Sequence, residues 1–168
     1  MKSENIMRKV KIEKVVLSIG GIGEALEKGS KLLERLTGKK PKKMKSNKRI
    51  PSLNVRPGLE VGAFVTLRGK EAVDVLKRLL IAENNKLKRK QISENSFSFG
   101  IKEYIEIPGI QYQRDIGIIG LDVTVSFARA GKRVIRKKIK RGNLPKKQHV
   151  SKEEIVKFME ENFNTEIR

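Results

Sequence analysis

The sequence predicts an α+β fold, a two-layer sandwich in which helices cover one face of a mostly antiparallel sheet. Several segments alternate apolar and polar residues with the period of two that is typical of a half-buried strand. Others repeat apolar residues at the three- and four-residue steps of an amphipathic helix. The chain has 168 residues without an internal repeat or a linker. We therefore expect a flexible tail at residues 1–8 and a single domain at residues 9–168, with basic loops projecting from it.

The first elements along the chain are a strand and a helix. VKIEKVVLSIG, residues 10–20, is rich in β-branched and apolar residues and predicts a buried strand. GIGEALEKGSKLLERLTG predicts a helix that ends at Gly38, because glycine readily adopts the left-handed conformation that closes a helix. The predicted inner face of this helix consists of residues at steps of four and three: Ile22, Leu26, Gly29, Leu33 and Leu36.

The centre of the chain repeats this order. EVGAFVTLRG, residues 60–69, predicts the clearest strand, because alternate side chains point to opposite faces of a sheet. Its apolar face consists of Val61, Ala63, Val65 and Leu67. A second helix is predicted over residues 71–81, and its inner side contains Val73, Leu76 and Leu80.

Short strands and one further helix are predicted for the rest of the chain. After a short basic turn at residues 86–90, residues 96–113 alternate aromatic and polar residues around Gly and Pro, which predicts short strands with Phe97 and Phe99 in the core. GLDVTVSFARAG predicts another two-faced strand, and a charged strand or arm follows it. Ser151 and Glu154 form the S-x-x-E capping box that begins the last helix.

The charge of the chain indicates a polyanionic partner. It contains 39 Lys and Arg against 19 Asp and Glu, which gives a net charge of +20. Such self-repulsion destabilises a compact state unless a partner neutralises it, and nucleic acid is the best interpretation. A membrane partner is not expected, because the sequence has neither a basic amphipathic helix nor an apolar run of about 18 residues. No secretion signal is recognisable, which predicts a cytoplasmic location.

Two long stretches concentrate the basic residues. The first arm, residues 39–56, contains eight Lys and Arg and no acidic residue; the second arm, residues 132–147, contains nine and again no acidic residue. Such a segment is either a solvated spacer or one that becomes ordered on a polyanion, and prolines in both arms favour the second interpretation by lowering the entropy lost on docking. The candidate RNA-binding residues of the arms are Lys40, Lys42, Lys43, Lys45, Lys48 and Lys132.

The polar face of the predicted sheet is a second candidate RNA-binding surface. Hydroxyls, an aromatic ring and a guanidinium would share it, since strand parity places there Ser18, Phe64, Thr66, Arg68, Thr124 and Ser126. Such groups reach 2′-hydroxyls, phosphates and exposed base edges, which suits folded RNA better than the DNA major groove. The alternative interpretation is an ordinary hydrated surface.

Enzymatic and cofactor-binding functions are not expected. The SIGGIGEA turn lacks the G-K-[ST] of a phosphate-binding loop, since Gly23 is followed by Glu24 and Ala25. His149 is the single histidine, and no nucleophile motif accompanies it. The chain has no cysteine, which excludes thiolate zinc sites. We expect a binding protein without a cofactor.

Several motifs resemble those of one family. KIEKVVLSIGGIGEA, LTGKKP, KSNKRIPSLNVRPGLEVGAFVTLRG, NSFSFGIKEYIEIPGIQY and GIIGLDVTVSFARAG occur in this order. They resemble the family of large-subunit ribosomal protein five in its archaeal form, over about residues 9–166. The resemblance implies a sandwich similar to RNA-recognition domains and a non-enzymatic role. It also implies binding to 5S rRNA in the central protuberance and contacts with large-subunit rRNA, P-site tRNA, large-subunit ribosomal protein eighteen and small-subunit ribosomal protein thirteen.

The resemblance also implies which residues contact 5S rRNA: Ser18, Lys39, Thr66 and Arg68. Ser18 stands where bacterial family members have Asn, and Lys39 where they have Gln, so these two side chains suit phosphate or sugar better than base edges. Residues 49–56 match the family loop that reaches tRNA. The alternative function is that of a free-standing RNA chaperone or ribosome assembly factor.

Overall fold

A computed structural model describes residues 5–168. Residues 1–4 of the expected flexible tail lie outside this range, and its last three residues, Ile6–Arg8, form a single 3-10 turn. The chain then enters a six-stranded sheet with the order β2-β3-β1-β7-β6-β5, in which all neighbouring strands are antiparallel. These strands are β1 (Lys11–Gly20), β2 (Lys42–Lys45), β3 (Glu60–Leu67), β5 (Ile92–Ser93), β6 (Ser96–Ile101) and β7 (Leu121–Ala128).

The remaining elements lie outside this sheet. Two short strands, β4 (Lys86–Leu87) and β8 (Glu166–Ile167), pair in parallel and tie the end of the chain to the middle. The helices are α1 (Glu24–Thr37), α2 (Lys70–Ala82), α3 (Arg133–Arg136) and α4 (Lys152–Phe163).

Local sequence signals determine where the helices begin and end. Gly38 closes α1 in the left-handed conformation, with φ of 64°. At α4 the Ser151 hydroxyl accepts a hydrogen bond from the Glu154 backbone N–H, while the Glu154 carboxylate accepts one from the Ser151 N–H. Both predicted helix ends are therefore confirmed.

One face of the sheet packs against the helices and forms a continuous apolar core. Val15 and Leu17 of β1 and the alternate residues of β3 and β7 are buried on this side, as strand parity predicts. Phe97 and Phe99 of β6 are also buried, and Phe127 packs edge to face against Phe158 of α4. The two-layer α+β sandwich is confirmed.

Gly29 allows α1 to lie directly on β1. A Cβ atom at this position would stand 2.8 Å from Cγ2 of Ile19, which is itself buried. Alanine would favour the helix by about 1 kcal/mol, so the glycine is explained by this close approach and not by helix propensity. The predicted place of Gly29 on the inner face is confirmed.

Several details differ from the sequence-based expectation. Ile22 precedes α1 and is exposed, because Gly23 with φ of 61° reverses the chain before the helix begins, and Leu32 takes a place on the buried face instead. In α2 the buried face is rotated: Val73 lies at its half-buried edge. The other residues of that face are Ala72, Val75, Leu76, Leu79 and Leu80.

The two arms also differ from the expectation. The sequence predicts a loop for the first arm, but this arm contains the edge strand β2 and a 3-10 turn at Pro51–Leu53. The second arm contains no strand among its described residues; a single helical turn, α3, is followed by irregular chain. Backbone pairing to the open edge of β3 explains β2, since its four residues are all exposed and have no apolar face of their own.

Candidate nucleic-acid interface

The helices leave one side of the six-stranded sheet uncovered, and we call this side the front face. Side chains directly opposite each other on neighbouring strands lie on the same face, so the register defines its rows. Ser18 of β1 lies opposite Phe64 of β3 and opposite Asp122 of β7. In the next row Thr66 and Thr124 flank Val16. All front-face residues of these rows are half-buried or exposed, in contrast to the fully packed residues between them.

Three of the four residues that the family resemblance implies in 5S rRNA binding lie on or next to the front face. Ser18 and Thr66 are diagonal neighbours on β1 and β3, which corresponds to roughly 7–8 Å between Cα atoms. Among the described residues none makes a hydrogen bond to the hydroxyl of either side chain, so both are available to a ligand. Arg68 follows the end of β3 and is exposed.

Lys39 is held at the same end of the sheet by an ion pair. Its Nζ contacts the carboxylate of Glu71 in the first turn of α2, three residues after Arg68. This places the ammonium group beside the end of β3, although its acidic partner belongs to the helix layer. Ser18, Lys39, Thr66 and Arg68 are thus gathered at one end of the β1–β3 pair.

Strand β2 divides the lysines of the first arm between the two faces. Lys42 lies opposite Phe64 and extends the front face to the edge of the sheet. Lys43 lies opposite Ala63, on the helix side, and its Nζ is 2.9 Å from the carboxylate of Glu60. The hydrogen bond from Lys43 to Glu60, and the charge of that carboxylate, raise the pKa of Lys43. Lys42 is therefore available to an anion, while Lys43 has an internal partner.

The tip of the first arm has regular backbone pairing. Ser46 N–H donates to the Leu59 carbonyl, and Ile50 and Val55 exchange two backbone hydrogen bonds of 3.0 and 3.1 Å. Between them the Lys48 N–H donates to the Ser46 hydroxyl over 3.3 Å. The side chain of Val55 is buried within the tip. The pairing holds the tip in a compact shape.

The side chains of the tip surround a cleft of about 480 Å³. Arg49 and Arg56 line it together with Pro51, Val55 and Leu59. Two guanidinium groups over an apolar floor form a surface that suits phosphate and a stacked base.

The second arm is fastened to the sheet through Glu13. The carboxylate of Glu13 contacts both Lys132 and Arg136, and its side chain is only 10% exposed. A bulge between Ile12 and Lys14 takes Glu13 out of the regular alternation of β1. Sequence analysis did not identify this residue, because the pairing joins positions 119 residues apart along the chain.

Both ends of the second arm are also tied to the domain. Arg129 donates to the Lys147 carbonyl and contacts the Glu154 carboxylate, and Gln148 donates to the Ala130 carbonyl over 3.0 Å. Next to them the side-chain nitrogen of Asn95 lies 3.0 Å from Nδ1 of His149. The single histidine is thus a structural contact at the base of the arm.

Replacing Glu13 by Gln is expected to loosen the second arm. The change removes the charge that holds two cations, an interaction of about 1.5–3 kcal/mol, so the arm should open more often. Trypsin should then cleave within residues 132–147 about tenfold faster, measured by mass spectrometry of limited digests. Glu34→Gln, an exposed residue of α1, is the matched control and should leave the rate unchanged. Equal rates for both variants would contradict the role of Glu13.

Asp122 is a second residue that the sequence-based site omitted. It is exposed on the front face in the row of Ser18, and a Cβ atom on Gly100 would stand 3.2 Å from its Oδ1. A carboxylate accepts hydrogen bonds only, so on a surface for RNA it would face base amino or imino groups and not phosphate. Strand parity already placed Asp122 outward, and its charge was the signal.

Other classes of site find no support in the described part of the chain. Within residues 5–168, no three His, Cys, Asp or Glu side chains converge as metal ligands would. No helix in that range has both the length and the apolar composition needed to cross a bilayer.

Comparison with known proteins gives a consistent assignment. Residues 60–158 match the model for the C-terminus of the family of large-subunit ribosomal protein five. The protein named large ribosomal subunit protein uL5 in Nanoarchaeum equitans is 45% identical over 167 residues, covering 98% of this chain and 99% of that protein. Its namesake in Sulfolobus acidocaldarius is 42% identical over 99% of this chain and 95% of that protein. In Archaeoglobus fulgidus the namesake is 41% identical over 94% of this chain and 90% of that protein.

Proposed function

Because the chain belongs to the family of large-subunit ribosomal protein five, we propose that it is a structural protein of the large ribosomal subunit that binds 5S rRNA in the central protuberance. One observation carries the RNA-binding part: the sheet is apolar and sealed on one side, while its front face presents hydroxyls, amphipathic side chains and basic groups. Its role is to hold RNA in a fixed geometry, and we assign it no enzymatic activity.

The contact with 5S rRNA is assigned to Ser18, Lys39, Thr66 and Arg68. The two hydroxyls can both donate and accept, so they suit 2′-hydroxyl groups, which distinguish RNA from DNA. The guanidinium of Arg68 can bind a phosphate through two parallel hydrogen bonds. Lys39 can exchange its exposed partner Glu71 for a phosphate at small cost, because exposed ion pairs contribute only about 0–1 kcal/mol.

The arms extend this contact along the RNA backbone. We assign phosphate contacts to four exposed lysines of the first arm and to the half-buried lysine that begins the second: Lys40, Lys42, Lys45, Lys48 and Lys132. Lys43 also belongs to the basic arm, and its ion pair with Glu60 fixes β2 so that its neighbours face the RNA. Preformed backbone pairing lowers the entropy lost when the first arm docks.

The remaining partners are assigned to surfaces away from the β1–β3 pair. The cleft between Arg49 and Arg56 at the tip of the first arm is proposed to contact P-site tRNA. The second arm is proposed to contact the phosphates of large-subunit rRNA. Contacts with large-subunit ribosomal protein eighteen and small-subunit ribosomal protein thirteen complete the proposal, and the protein would act in the cytoplasm within the ribosome.

A hydroxyl-radical footprint of the full chain on isolated 5S rRNA tests the proposal. We expect protection of one continuous region of the 5S rRNA, because a single sheet face and two fixed arms define one register. The protected region should stay the same when excess unrelated RNA is added, while weaker protection elsewhere should disappear. Uniform weak protection along the whole 5S rRNA would contradict the proposal and favour a free-standing RNA chaperone.

A further inference from the structure

A groove on the helix layer has a different character from the front face. It lies where the beginning of β1 meets α2 and the end of α4, and its volume is about 540 Å³. This is within the range of about 300–1,000 Å³ in which proteins bind small molecules or side chains of a partner.

The floor of the groove is apolar and accessible. Five apolar side chains line it, and each is only half-buried: Val10, Ile12, Val73, Phe158 and Phe163. They belong to the edge of the same core whose centre is completely sealed. Half-buried apolar residues gathered in one concave place are typical of a surface that a partner covers.

The rim of the groove is positively charged. Lys9, Lys11, Lys70 and Lys77 line it, all four are exposed, and no lining residue carries a carboxylate. Among the described residues none of these lysines has an ion-pair partner within 4.0 Å, in contrast to Lys39 and Lys43. The rim is therefore available to negative charges of a ligand.

We propose that this groove binds a segment of a partner protein in which acidic residues alternate with large apolar residues. The apolar residues would fill the floor and the carboxylates would contact the four lysines. A second copy of this chain is a poor occupant, because two chains of charge +20 repel each other. RNA is also a poor occupant, since its phosphates could reach the rim but would leave the phenyl and aliphatic groups of the floor exposed to water.

The place of the groove in the fold is consistent with a protein partner. Val73 and Phe158 belong to helices that cover the back of the sheet, whereas the proposed RNA contacts lie on the front face and the arms. The protein could therefore hold RNA and this segment at the same time. The inference goes beyond the proposed function and does not depend on it.

The proposal is tested with a short fluorescein-labelled peptide that repeats Glu-Leu-Asp-Phe. Fluorescence anisotropy should show saturable binding to the full chain, weakened at least about tenfold when Leu and Phe become Ser, and as much when Glu and Asp become Gln. Reversing two rim charges with Lys70→Glu and Lys77→Glu should weaken binding by a similar factor. The matched control, Lys28→Glu with Lys31→Glu on the exposed side of α1, should change it less than about twofold.

Methyl NMR spectra locate the binding in the unmodified protein, so the result does not depend on how a variant folds. The peptide should shift the methyl signals of Val10, Ile12 and Val73 and leave those of Leu53 and Ile139, exposed residues of the two arms, in place. Peptide shifts on the arms instead of the floor would overturn the proposal. Equal binding of the Ser or the Gln peptide would overturn it too. Shifts of the same floor methyls by an oligouridylate would identify nucleic acid as the occupant and equally overturn it.

Discussion

Raising the salt concentration from about 50 to about 200 mM is expected to weaken binding of this protein to 5S rRNA by three to five orders of magnitude. The reason is the release of counterions: each phosphate that a Lys or Arg neutralises adds to the slope of affinity against salt, and the first arm alone carries eight such residues. Filter binding at a series of salt concentrations measures this slope.

A pair of charge variants locates the effect on the arm. Lys42→Gln with Lys45→Gln should reduce the slope by about two, because both exposed residues lie on the strand that extends the front face. Lys28→Gln with Lys31→Gln removes the same charge from α1 and should leave the slope unchanged. A flat salt response of the unmodified protein would reject the electrostatic part of the proposed function.

The alternation of residues along the strands was sufficient to predict the two faces of the sheet. Val15 and Leu17 are buried and Ser18 is not, because a period of two leaves only one register in which the apolar residues face the helices. The capping box at Ser151 and the glycine at Gly38 were equally decisive, because both signals act within a few residues of each other.

The sequence did not predict what depends on distant backbone or on a single charge pair. KKMK of β2 has no alternation that would mark a strand; it forms one because β3 offers an unpaired edge, and all partners are backbone groups. The rotation of the buried face of α2 away from Val73 reflects how the helix lies on the sheet.

The candidate site shows the same division. Thr66 and Arg68 were placed by parity, and the structure puts them at the end of β3 as expected. The contact of Lys39 with Glu71 could not be predicted, because nothing within either segment indicates that they meet. Glu13 was missed for the same reason, and its value as a fastening point for the second arm becomes visible only with the bulge in β1.

Replacing Thr66 and Arg68 together by Ala is expected to weaken 5S rRNA binding by about 30-fold to several hundredfold. One hydrogen bond of a hydroxyl contributes about 0.5–1.5 kcal/mol and one of a charged group about 1.5–3 kcal/mol, and tenfold in affinity corresponds to about 1.4 kcal/mol. The fold should survive, since Thr66 is half-buried on the front face and Arg68 is exposed. Thermal unfolding followed by circular dichroism checks this.

The comparison with unrelated RNA decides whether these two residues recognise 5S rRNA or only add charge. Removal of one positive charge should weaken binding to an unrelated RNA only a few-fold, so the Thr66→Ala and Arg68→Ala variant should lose most of its preference for 5S rRNA. Lys137→Ala with Lys138→Ala, on the exposed second arm, should instead weaken binding to both RNAs by the same factor. If the front-face variant also weakens both equally, the front face is not the surface that recognises 5S rRNA, and the specificity must come from the arms.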